Sequence, residues 1–88
     1  MEDEQIVWWW LSFCDVNRPE GDQFLGVAIV DAFNEIMAVS RAWDLGCNPG
    51  GEVMLVAIPP LFVPLERYRH KLLSKQEIDE MESISGTY

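Results

Sequence analysis

Three short segments of this chain are apolar on both of their alternating sides, and this property limits what the chain can fold into. In residues 6–13, Val7, Trp9, Leu11 and Phe13 alternate with Ile6, Trp8, Trp10 and Ser12. In residues 23–30, Phe24, Gly26, Ala28 and Val30 alternate with Leu25, Val27 and Ile29; in residues 52–58, Val53, Leu55 and Ala57 alternate with Met54, Val56 and Ile58. Successive side chains of a strand point to opposite faces of a sheet. A sheet built from these strands is therefore apolar on both faces and needs a cover on each. Aromatic and branched side chains without a helical polar face favour strand over helix in residues 6–13.

Between the second and third segments the period changes. Ala32, Ile36, Val39 and Trp43 fall on one helical face, widened by Phe33 and Met37, whereas Glu35, Arg41 and Asp44 point elsewhere. Asp31 is placed to cap a helix over residues 32–45, and Gly46 followed by Pro49 ends it. Ile36 and Trp43 are then expected in the core beside Trp9 and Leu55. The order strand, strand, helix, strand predicts an α+β fold with a small three-stranded mixed sheet (β-β-α-β), one main helix on one face and a short C-terminal helix. The second and third strands run parallel, and the first can lie between them. Ser74 and Glu77 match a capping box that opens the C-terminal helix, expected to reach about Glu82. Residues 65–73 read as a helical turn. The 88 residues make a single domain, with residues 1–5 and 83–88 frayed.

One helix covers one face. The other is left to residues 61–81 or to a second copy of the chain, and a homodimer through that face is the expectation carried forward.

Charge narrows the function. Fifteen acidic residues against six Lys and Arg leave a net charge of −9. That balance argues against direct nucleic acid binding and against docking on anionic membrane. It suits a surface that meets a basic protein. The only concentration of positive charge is at residues 65–75, where Arg67, Arg69, Lys71 and Lys75 outnumber Glu66. The N-terminus is acidic and its apolar run is short, which fits neither a secretory signal nor a membrane span and points to a cytoplasmic chain with reduced Cys14 and Cys47.

No catalytic motif is present. The turn Asn48-Pro49-Gly50-Gly51 follows a helix and opens a strand, the reverse of a phosphate-cradling loop, and has no Lys after its glycines. His70 is the only histidine and sits among cations; Cys14 is the one thiol that could pair with it. Cys14, Cys47 and His70 suit zinc by ligand type but not by spacing. The acidic loop of Asp15, Asn17, Glu20 and Asp22 lacks the ordered series of a calcium loop. No cofactor and no metal is expected.

The stretches Trp9-Trp10-Leu11-Ser12-Phe13, Phe24-Leu25-Gly26-Val27 and Asn48-Pro49-Gly50-Gly51-Glu52-Val53 resemble a group of small bacterial and phage-encoded proteins of unknown function, over residues 8–58. The resemblance implies a bacterial or phage setting and brings no activity or site. The leading functional reading is a non-enzymatic acidic protein-interaction module, as in a phage or mobile-element inhibitor of a host defence or regulatory protein. Its expected interface residues are Trp8, Trp10, Arg67, Tyr68 and Arg69. The alternative is a binder of a nucleotide-like small molecule, with a pocket between the sheet and the C-terminal segment or between subunits. An enzyme using Cys14 or His70 is the third reading.

Overall fold

The computed structural model describes residues 5–85. Strands β1 (Val7–Cys14) and β2 (Phe24–Ala32) are followed by helix α1 (Glu35–Asp44) and strand β3 (Glu52–Ala57). A single 3-10 turn (Glu66–Tyr68), a two-residue strand β4 (Leu72–Leu73) and helix α2 (Lys75–Ser85) complete the chain. The α+β class is as expected, but the sheet has four strands instead of three, in the order β3-β1-β2-β4. It is not mixed: every adjacent pair is antiparallel. Because β1 opposes both β2 and β3 and lies between them, those two strands still run in the same direction without sharing a ladder. The β2–α1–β3 crossover, the common direction of β2 and β3 and the place of β1 between them are as expected. The fourth strand replaces part of the expected helical turn at residues 65–73. Two residues are too few to show a period.

The two faces sort as the alternation demands, except that Leu25, expected beside Val27 and Ile29, packs against the first core where the β1–β2 register shifts. Trp9, Leu11 and Phe13 of β1 align with Val30, Ala28 and Gly26 of β2 and with Ala57, Leu55 and Val53 of β3. Of these, Leu11, Phe13, Ala28 and Val30 form the first core with Ala32, Ala38, Ala42 and Cys47, and Trp9, Val53 and Leu55 pack against it. The Trp9 indole donates to the Ala32 carbonyl at 3.0 Å, so its one polar atom is satisfied. On the second face Val27 and Ile29 pack with Tyr68 and Leu73, flanked by Trp8, Trp10, Ile58, Ile78 and Met81. The cover of this face over β1 and β2 is thus the C-terminal segment. Gly26, at φ +136°, lets that segment approach: a Cβ there would lie 2.8 Å from the Leu73 carbonyl oxygen.

Helix α1 departs from expectation in its start and in its face. Its cap is Asn34, whose Oδ1 accepts from the Met37 amide at 2.9 Å; β2 continues through Asp31, the expected cap, to Ala32. Its end is as read: Gly46 at φ +77° and the Gly46 and Cys47 amides on the Trp43 and Ala42 carbonyls make a Schellman closure. The buried stripe, however, is Ala38 and Ala42. Ile36 is 82% exposed and Trp43 58% exposed, so neither sits beside Trp9 and Leu55 as expected. The physical reason is volume. Trp9, Leu11 and Phe13 occupy the space between sheet and helix, so the fully buried helix residues are alanines, with Val39 half-buried beside them.

The capping box of α2 is formed, with the Ser74 amide on Glu77 Oε1 at 3.0 Å and the Glu77 amide on Ser74 Oγ at 3.2 Å. The helix runs to Ser85, three residues past the expected end. The fraying expected at residues 1–5 and 83–88 falls mostly outside the described residues.

Substitution at the two covers should separate core from surface. Leu73→Ala, which empties a fully buried site holding the C-terminal segment to the sheet, is expected to cost about 2–5 kcal/mol. Trp43→Ala is expected to stay within about 0.5 kcal/mol of the parent. Urea denaturation midpoints measure both; a Trp43→Ala loss as large as that of Leu73→Ala would return Trp43 to the core.

Candidate functional site

The five side chains expected at an interface all lie on or beside the second face, in separate groups. Trp8, at the start of β1, is half-buried, with the Arg69 guanidinium carbon 4.8 Å from its ring centre and the His70 ring centre at 5.6 Å. A cation over an indole face is a favourable stack. Arg69 Nε also donates to the Pro64 carbonyl at 2.8 Å, tying the loop of residues 59–65 to this point. That loop presents Leu61, Phe62, Val63 and Leu65 to solvent. Arg67 is exposed and stacks over Tyr68 at 5.0 Å. Tyr68 itself is 3% exposed and packs within the second core. Trp10 lies further along β1, between Ile29 and Val56, and borders a depression of about 420 Å³ with Phe24, Lys75 and Ile78.

A polar cluster with no local signature in the sequence joins the two covers. Asp31 Oδ1 accepts from Arg41 Nε of α1 at 2.9 Å and contacts His70 Nε2 at 2.7 Å. His70 is held in the left-handed region at φ 61°, and its amide donates to the Ile29 carbonyl at 2.9 Å. Burial raises the Asp31 pKa, but the hydrogen bonds from His70 and Arg41 outweigh it and hold the carboxyl below its usual value. The three residues lie 10 and 39 positions apart, across a helix and most of the chain, so no local spacing signals them.

This carboxylate borders a depression of about 410 Å³ whose rim includes Ile6, Phe33, Met37, Arg41 and Asp44. Above it runs the outer stripe of α1. Phe33 precedes the helix, and Ile36, Met37 and Trp43 follow on its outward side, all exposed. Acidic groups edge the stripe: Glu35 in the first turn, Asp44 in the last, and Asp31. The periodicity of this stripe is visible in the sequence; what periodicity could not decide is which of two stripes, large or alanine, meets the sheet.

The residues weighed for chemistry are not gathered. His70 touches Trp8 at one end of β1, while Cys14 ends that strand, six residues away; at about 3.4 Å per residue this is roughly 20 Å. Cys47 is buried in the first core, and burial pushes its thiol pKa up, against thiolate formation. Among the described residues no helix is long and apolar enough to cross a membrane. No protein-family model, curated protein or solved structure matches the chain.

The Asp31 cluster should show in acid. Because the folded-state pKa lies below the unfolded one, its contribution is present above the ordinary carboxylate range and is lost as the pH falls through and below it. Asp31→Asn should therefore be less stable than the parent near neutrality, and the gap should narrow below about pH 4. Urea midpoints measured across that range test this; a gap that does not change with pH would remove Asp31 from the acid response.

Proposed function

We propose that this chain is a small acidic protein-interaction module without catalytic activity, and that its partner surface is the outer face of α1. The observation that carries the reading is the orientation of the helix: its bulkiest apolar side chains face solvent while two alanines face the sheet. Monomers rarely spend a run of large apolar side chains on water, and such patches mark interaction sites. The pattern is that of an interface, with Ile36 and Trp43 as apolar anchors and Glu35, Asp44 and Asp31 as a charged rim. The complementary partner is a protein with an apolar pocket ringed by Lys and Arg. A net charge of −9 would steer that encounter. A phage or mobile-element protein that inhibits a host defence or regulatory protein fits this description.

The nucleotide-like ligand has weaker support. The depression of about 690 Å³ between the 3-10 turn and α2 sets Glu77, Asp79 and Glu80 beside Arg67 and Lys71. Lys71 is already paired with Glu77 at 3.0 Å. An anionic ligand would meet more carboxylates than free cations there.

The test is capture from bacterial lysate on the immobilised chain, with bound small molecules analysed in parallel. A protein retained in stoichiometric amount, and released as salt rises, is the expected result. Trp43→Ser should weaken the purified pair by about 30-fold or more, the cost of losing an interface anchor, with an unchanged melting curve. A co-purifying metabolite without a protein, or a partner indifferent to Trp43→Ser, would overturn the reading.

A further inference from the structure

Strand β3 is the outer strand of the sheet on the side away from β4. The Ile58 amide donates to the Trp8 carbonyl at 2.8 Å. By the alternation of an antiparallel ladder, the backbone groups of Val56, Met54 and Glu52 also face β1. Those of Val53, Leu55 and Ala57 then face outward as three N–H and C=O sets that no strand among the described residues pairs. Natural edges are usually blunted by Lys, proline, a bulge or a short length. Over the six residues of β3 none of these is present: the strand pairs with β1 in unbroken register, and its prolines come only afterwards, at Pro59 and Pro60. On its second-face side, Met54 is 69% and Val56 53% exposed, beyond the reach of the C-terminal cover.

Charge completes the argument. Residues 53–65 form the longest stretch of the chain without Asp, Glu, Lys, Arg or His, in a molecule of net charge −9. Like-charge repulsion between two copies of so acidic a molecule is least where charge is absent. We infer that two copies of this chain pair through β3, antiparallel across a two-fold axis at Leu55, into one continuous eight-stranded sheet. In that register the outward-facing residues hydrogen-bond as Val53 with the partner's Ala57 and Leu55 with the partner's Leu55. Met54 meets the partner's Val56, apolar on apolar. The single charge of the strand, Glu52, falls opposite the partner's Ile58, so no like charges oppose each other. The strand pair and its flanking side chains bury on the order of 1,000 Å² in total, at the low end for specific interfaces. The dimer is therefore weak, with a Kd of roughly tens to hundreds of micromolar. This surface is separate from the outer face of α1.

Sedimentation equilibrium over a range of protein concentration tests it. The expected species has twice the 10.1 kDa chain mass, and it tightens several-fold as salt is raised, because salt screens the repulsion while backbone and apolar contacts persist. This is opposite to the salt response of the charge-steered partner proposed above, and Trp43→Ser leaves the dimer intact. The double variant Met54→Glu/Val56→Glu sets carboxylates against each other and should give a monomer with an unchanged circular dichroism spectrum. The register has its own readout. In a Cys14→Ser background, Met54→Cys chains mixed with Val56→Cys chains should form the mixed disulfide in preference to either homodimer. The 54–56 pair brings Cα atoms to about 4.5 Å, whereas 54–54 is offset by two residues, about 8 Å. A strict monomer up to roughly 1 mM at low and high salt would overturn the inference. So would a dimer that survives the double glutamate variant, or mixing that gives no preference for the mixed disulfide.

Discussion

Strand β1 is the element on which the rest of the molecule is arranged. It is hydrogen-bonded along both edges, to β2 and to β3, and carries large side chains on both faces. Trp9, Leu11 and Phe13 set the thickness of the first layer, so that α1 meets it through Ala38 and Ala42 with Val39 beside them. Trp8 and Trp10 on the other side call for a second layer, which the C-terminal segment supplies through Tyr68, Leu73, Ile78 and Met81. Each fully buried large apolar side chain contributes roughly 1.5–3 kcal/mol, and most of those in this domain lie on β1 or on its neighbour β2.

What could be read in advance follows from how local each signal is. The face assignment of β1, β2 and β3 depends only on a period of two, and the core residues on those strands are on their expected sides except Leu25, which packs against the first core where the β1–β2 register shifts between Phe13 and Cys14. The closures at Gly46 and Ser74 involve atoms within five residues and were legible for the same reason. The orientation of α1 was not. Its sequence carries two apolar stripes, and the choice between them depends on the volume of side chains contributed by another element. The Asp31 cluster was hidden by distance along the chain. Asp31 looks like a helix cap because it precedes an apolar period, and only the fold shows that its carboxylate is taken by Arg41 and His70 while Asn34 does the capping. Of the expected interface residues, Trp8 and Arg69 do come together, but the signal used for Tyr68, an aromatic among cations, does not distinguish a surface ring from one packed beneath an arginine.

The exposed apolar groups fall into regions of unlike electrostatic character. The outer stripe of α1 is edged by carboxylates, whereas residues 53–65, β3 after Glu52 and the loop that follows it, are free of charge. Burial of either removes hydrocarbon from water, yet ionic strength acts on them in opposite directions. A partner drawn by charge is favoured in dilute salt, and contact between like-charged copies is favoured in concentrated salt.

The two layers that sandwich the sheet are not independent, because both reach for one atom. Asp31 Oδ1 receives Arg41 from the helical layer and His70 from the C-terminal layer. Whatever draws Arg41 outward leaves that oxygen to His70 alone and changes how firmly residues 68–73 are seated; loosening His70 changes the restraint on α1 by the same free energy. Reciprocity of this kind is a thermodynamic necessity once two groups share a site. A molecule on the outside of α1 that drew Arg41 away from Asp31 would therefore be felt on the far side of the sheet, at the tryptophan that His70 leans on.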